Sequence, residues 1–360
     1  MRLSVAGQPL HTRSLTLVLS QRPDGMLLAA GEVIDLRKAS LVPMIDELQT
    51  AGIIHHMLLD LVIDPETRKI ERLETEQPAV AIEASEKTLS QSCRDPAPRL
   101  QGLVGHVIDA DLPRELQRIF GGPLGCSHLL TLFHLMANAL PGAFDDEETL
   151  RQETGCGRRP GEKIFRRSVC LDGFQPDDGQ LQLVVLLMDY KSRPLEAVKD
   201  RLGFLMWQRE VRALANVSLA NIRIEELEIF ERWRTRETLA DAQWQDRSEW
   251  AEGLVGRPIM PGLGRELRKR LGDRAEASGV LDALLQLAPG FVQCTPALVD
   301  AVLGRVAAAQ AAATRGSEPA EAEERPSLPS FLALGGAVDS CYMWRRDGPL
   351  LQIRPSSEET

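Results

Sequence analysis

The chain has 360 residues, 43% of them hydrophobic and 26% charged, with a formal net charge of −10. That length accommodates two domains with cores of their own. The acidic balance excludes nucleic acid as a partner, because polyanions need a basic footprint. The most basic run, RELRKRLGDR from Arg265, mixes acids with bases at helical spacing and reads as a solvated helix face. No apolar run reaches bilayer length, and MRLSVAGQPLHTRS lacks an apolar leader segment. The expectation is therefore no membrane partner and a cytoplasmic location, where the six cysteines would be reduced thiols or ligands.

In chain order, HTRSLTLVLSQRPDGMLLAAGEVIDLRKAS (His11 to Ser40) places PDG between alternating apolar segments, the signature of a hairpin. A helical segment is expected around Pro43 to Gln49. A second hairpin follows in LLDLVIDPETRKIERLE, with Leu59, Leu61 and Ile63 on one side and the turn at DPET. Asp111 is the expected N-cap of a helix with Pro113 in its first turn and a Gly121–Gly122 stop. CSHLLTLFHLMANAL then aligns Leu129, Leu130, Phe133, Met136, Ala137 and Leu140 on one helical face. The polar stretch PGAFDDEETLRQETGCGRRPGEK reads as a mobile linker.

The pattern then recurs. His11 to Ser40 aligns without gaps on FRRSVCLDGFQPDDGQLQLVVLLMDYKSRP (Phe165 to Pro194), 154 positions on. Arg13, Ser14, Gln21, Asp24, Gly25 and Asp35 fall on Arg167, Ser168, Gln175, Asp178, Gly179 and Asp189. GLVGHVIDADLPRELQRIFGG from Gly102 matches GLVGRPIMPGLGRELRKRLGD from Gly253, 151 positions on. The second hairpin has its counterpart in VRALANVSLANIRIEELE. ATRGSEPAEAEERPSLPS is biased in composition and is expected to be disordered, and the apolar tail after it to dock on one of the domains. The expected fold is α+β: two tandem repeats, each a small antiparallel sheet of two hairpins backed by helices. Residues 1–140 form the first repeat, 141–164 a linker, 165–312 a degenerate second repeat, 313–330 a disordered linker and 331–360 the tail. The two repeats together make an intramolecular pseudo-dimer.

The copies differ in the residues that carry chemistry. All six histidines lie in the first copy. His55 and His56 fall near Arg209 and Glu210, Cys93 on Trp244, Cys126 on Ala277 and His128 on Gly279. A framework that keeps its fold while losing Cys and His in one copy suggests one working site. The candidate metal ligands are His55, His56, Cys93 and Cys126, a donor set that suits Zn or Fe. Asp60 and His128 are the candidate proton carriers. Strand alternation puts His55 with Leu59 and Leu61 but His56 with Asp60, so both histidines face one site only if the chain bulges before the strand. Cys126 opens a helix, whose dipole favours thiolate. Each residue also has a plain structural reading, the cysteines as small buried hydrophobes and the histidines as satisfied polar groups. His11, His106 and His134 are read that way, Cys170 and Cys294 as core, and Cys156 as an exposed linker thiol.

Three functions fit. The first is a metal-dependent protein, a hydrolase or lyase acting on a small organic molecule. The second is a metal-free enzyme with Cys126 as nucleophile. The third is a non-catalytic assembly protein presenting the Trp-rich second copy. No phosphate-binding glycine loop, serine elbow or nucleotide motif is present.

The first copy resembles domain-of-unknown-function family 2889 on a specific set of elements. These are His55-His56-Met57, Cys93, GLVG from Gly102, Gly125-Cys126-Ser127-His128-Leu129 and the closing DSCYMWRRDG. His56 stands where the family prefers Asp, Ser127 where it prefers Thr, and Tyr342 where it prefers His. This resemblance spans residues 11–140 and, as a degenerate copy, 165–300; it implies no particular activity and associates Cys341 with the first domain. The order of His55/His56, Cys93 and Cys126 is also similar to that of the ligands in NifU/IscU-type iron–sulfur scaffolds. The leading Cys of those scaffolds is absent, which points to a mononuclear Zn or Fe site instead of cluster assembly.

Overall fold

The computed structural model describes residues 3–43, 48–177, 179–272, 274–298 and 336–352. β1 (Gln8–Gln21) and β2 (Leu27–Arg37) form the first hairpin, turning at Gly25 with φ +84°. A positive φ is open to glycine without steric cost. The short strands β3 (Val42–Pro43) and β4 (Leu48–Gln49) pair with each other. The helix expected over Pro43 to Gln49 is thus replaced at both ends by strand, and residues 44–47 lie outside the described residues. β5 (Gly52–Ile63) and β6 (Ile70–Ala79) form the second hairpin. α1 (Leu112–Phe120) and α2 (Ser127–Thr154) follow. Then come β7 (Lys163–Gln175), β8 (Gln180–Ser192), β9 (Leu205–Ser218), β10 (Ile224–Arg234) and β11 (Gln245–Asp246), and the helices α3 (Leu263–Leu271), α4 (Ser278–Leu284) and α5 (Leu287–Cys294).

The hairpins do not make two small sheets. They share one nine-stranded antiparallel sheet in the order β11-β10-β9-β8-β7-β1-β2-β5-β6. β1 and β7 close the gap, pairing from Gln8↔Gln175 to Ser20↔Lys163. Left apart, each would be a long edge strand with a row of unpaired backbone groups, and pairing removes both edges. The inner face carries Leu15, Leu17, Leu59 and Leu61 from one half and Leu171, Leu183, Val185 and Ala213 from the other, and all belong to a single core with the helices. α2 lies so close to β2 that a Cβ on Gly31 would meet Met136 Sδ at 2.6 Å.

Two local expectations are corrected. α2 runs on through Pro141 to Thr154, so most of the expected mobile linker is helix. The helix is fixed by Glu147, which binds Arg158 at 2.7 Å and Lys191 at 2.9 Å. Asp111 occupies the N-cap of α1 without a side-chain cap bond. Asp109 Oδ1 accepts from the Asp111 and Leu112 N–H groups in its place. The tail docks on the first half: Tyr342 N–H donates to Gly125 O at 2.8 Å, and Met343, Trp344 and Leu350 pack with Ile82. Residues 313–330 lie outside the described residues. Among the described residues, no helix is long and apolar enough to cross a membrane.

Candidate metal centre

Three adjacent strands supply the polar centre of the first half. The register places Arg13 of β1 opposite Asp35 of β2, and Asp35 opposite His55 of β5. β5 has an irregularity at this point, since Asp35 pairs with His55 but Leu36 with Ile53. The extra residue, Ile54, lets Ile54 and His55 both be buried, as a bulge re-aims side chains at the end of a ladder. His128, in the first turn of α2, completes the group from above the sheet.

Asp35, His55 and His128 each present a ligand atom within 4.8 Å of the other two, and all three are buried. Asp35 Oδ2 lies 3.6 Å from His55 Nδ1 and 3.4 Å from His128 Nε2. The two imidazoles stack with ring centroids 3.7 Å apart. Behind them, His11 Nε2 and Asp35 Oδ1 lie 3.0 Å apart, and Arg13 Nη1 donates to both carboxylate oxygens at 3.2 and 3.0 Å. The side-chain amide of Gln293, from α5 of the second half, sits 3.0 Å from His128 Nε2.

Burial would drive Asp35 toward its neutral form, but the Arg13 guanidinium and the His11 hydrogen bond overcome it and hold the carboxyl below its ordinary range. Burial lowers His55 to about 4 against the pull of Asp35, and lowers His128 well below its usual value with His55 adding to the effect. At neutral pH the centre therefore holds one carboxylate and two neutral imidazoles, the protonation state that metal ligation requires.

A cleft of about 180 Å³ opens beside these residues. Cys93, Cys126 and Cys341 line it, the last delivered by the docked tail. Cys126 Sγ lies 3.7 Å from His128 Nδ1, on the side of the ring away from Asp35. Against the helix dipole that favours a thiolate at Cys126, burial outweighs the N–H groups of Leu129 and His128 and pushes the thiol up to about 12. Burial likewise raises Cys93 and Cys341, with neighbouring thiols adding to Cys93. All six cysteines are free.

Of the sequence candidates, His55, His128, Cys93 and Cys126 thus share one cleft. His56 and Asp60 do not. Both lie on the opposite sheet face, where His56 Nε2 meets Glu32 Oε1 at 2.9 Å. Asp60 is raised by partial burial and by Glu74 and Glu76. Sequence reasoning passed over Asp35, His11, Arg13 and Gln293. The available signal was that Asp35 and Arg13 recur as Asp189 and Arg167, which marks them as a buried pair.

That recurrence is visible in the second half as a contrasting arrangement. Arg167 of β7 pairs opposite Asp189 of β8, and Asp189 opposite Arg209 of β9. Arg167 donates to Asp189 at 2.7 and 2.9 Å and also pairs with Asp282. Arg209 Nε donates to Asp189 at 3.0 Å, and its Nη1 to Ser278 Oγ at 3.0 Å. Asn138 binds Asp282 at 2.7 Å. Two carboxylates and two guanidiniums balance here. Gly279 makes the room, since a Cβ there would lie 2.5 Å from Arg209 Cζ.

Residues 11–141 match the model of a family described as a protein of unknown function (DUF2889). No curated protein and no solved structure matches the chain significantly.

Proposed function

We propose that the chain is a metal-binding protein with one Zn or Fe site at Asp35, His55 and His128, serving a hydrolytic or lyase reaction on a small organic molecule. The observation that carries this reading is the convergence of three buried donors within 4.8 Å at the wall of a cleft. Two imidazoles and a carboxylate suit Zn or Fe(II) and leave coordination positions open for a reacting molecule. Such an ion would act as a Lewis acid or lower the pKa of bound water. His11 and Arg13 fix the carboxylate, as outer partners do in metal sites.

The same reading explains the two halves as a duplication. The second copy answers its buried Asp189 with Arg209 and a glycine, whereas the first answers Asp35 with His55 and His128. One copy is closed by charge and the other is left able to accept a cation. The cysteine-nucleophile alternative draws no support from thiols that burial keeps protonated.

The test is elemental analysis of protein purified without oxygen. Near one zinc or iron per chain is expected, lost in His55→Ala and in His128→Ala but kept in His56→Ala and Asp60→Asn. Cys126→Ala reports whether the neighbouring thiol joins the ligand set. Metal-free wild type that takes up neither ion would sink the proposal.

A further inference from the structure

The chain is acidic, yet its cleft is not. Arg13 and Arg37 line it and, among the described residues, no Asp or Glu does. Arg37 follows Asp35 by two residues on β2 and is only 5% exposed. Its Nε and Nη1 are buried with no hydrogen-bond partner, and it forms no ion pair among the described residues. Arg13 spends Nη1 on Asp35, while its Nε and Nη2 are also without partners. Among the described residues, two guanidiniums against the single carboxylate of Asp35 leave one largely buried positive charge uncompensated. Burying an unpaired charge is costly, so a side chain kept this way is waiting for a counter-charge.

A second feature points to the same cleft. α2 is 28 residues long and opens at Cys126 with no side-chain cap, so its first turn faces the cavity through Gly125, Cys126, Ser127 and His128. The positive end of the helix dipole favours an anion there. The remaining walls are largely apolar: Ile54, Ile82, Met260, Val292 and Trp344. They suit the body of an organic molecule better than a fully hydrated inorganic anion.

We infer that this cleft binds a small organic carboxylate, its head on Arg37 near the start of α2 and its apolar body against the two halves and the docked tail. As the substrate class of the metal centre, this rests on the metal reading; as an anion site, it does not.

The probe is benzoate, with the isosteric neutral benzamide and inorganic phosphate as comparisons, titrated by calorimetry into the full chain with and without zinc. Benzoate should bind, and benzamide should bind at least about tenfold more weakly, the scale of one charge-assisted contact. Arg37→Met should lose benzoate binding by a similar factor while its unliganded unfolding midpoint rises, because an unpaired buried charge has gone. Arg37→Lys should retain part of the affinity. Equal binding of benzamide, undiminished binding in Arg37→Met, or binding of phosphate in place of benzoate would each overturn the inference. Metal content measured on the same samples separates the two failures. Metal bound without benzoate refutes the carboxylate site alone, and benzoate bound by protein that takes up neither zinc nor iron refutes the metal reading alone.

Discussion

If the second half is the closed form of the first, its solution should be transferable. The transfer is His55→Arg with His128→Gly and Thr131→Asp, which reproduces Arg209, Gly279 and Asp282 at the corresponding positions. The other parts are in place: Asp35 and Arg13 stand where Asp189 and Arg167 stand, and Ser127 where Ser278 accepts from Arg209. His128→Gly alone removes a buried ring and leaves a void, at roughly 2–4 kcal/mol by comparison with other large-to-small changes. For a chain of this length that is a fall of roughly 3–5 °C in unfolding midpoint. The triple variant fills the void and adds charge-assisted bonds of about 1.5–3 kcal/mol each, so it should recover to within about 1 kcal/mol of wild type. Calorimetric melting of chelator-treated protein reads the stability, and elemental analysis reads the metal, which should fall from near one per chain to none. A triple variant no more stable than His128→Gly, or one with undiminished metal, would refute the equivalence of the two halves.

Other consequences follow from the same geometry. Arg167→Met leaves buried Asp282 with no guanidinium partner and Asp189 with Arg209 alone, and chemical denaturation should show a loss of about 3–5 kcal/mol. His134, away from the centre, is lowered to about 4 by burial and then by Arg268. The unfolded chain therefore binds a proton more readily, and this contribution is complete above about pH 6.5 and lost as the pH falls toward 4. Melts across that window should show His134→Gln flattening the pH dependence of stability, by about 3 kcal/mol at most. Because burial holds Cys93 and Cys126 protonated, thiol reagents at pH 8 should modify both far more slowly in the folded than in the unfolded protein, as peptide mapping would show.

The hairpins were legible because their signals are local. PDG at Pro23 to Gly25, DPET at Asp64 to Thr67 and the period-two apolar alternation each act over a few residues. The same alternation separated His55 from His56 and Asp60. The recurrence at 154 positions also singled out Arg13 and Asp35, although their role in the centre did not follow from it. The tertiary structure decided what depends on distant partners. Whether β1 and β7 are edges or neighbours depends on one chain half meeting the other, and no local pattern encodes that pairing. A helix that continues through Pro141 is held by Arg158 and Lys191 from beyond its own sequence. Cys126 carries the sequence mark of an activated thiol, yet burial, a property of the packed molecule, reverses it. Asp35 becomes a candidate ligand only because β1, β5 and α2 bring four charged or imidazole side chains around it. Sequence specified the donors and the hairpins that carry them; packing set which donors meet, because proximity across 20 to 100 residues of chain is created only when the sheet closes and α2 docks on it.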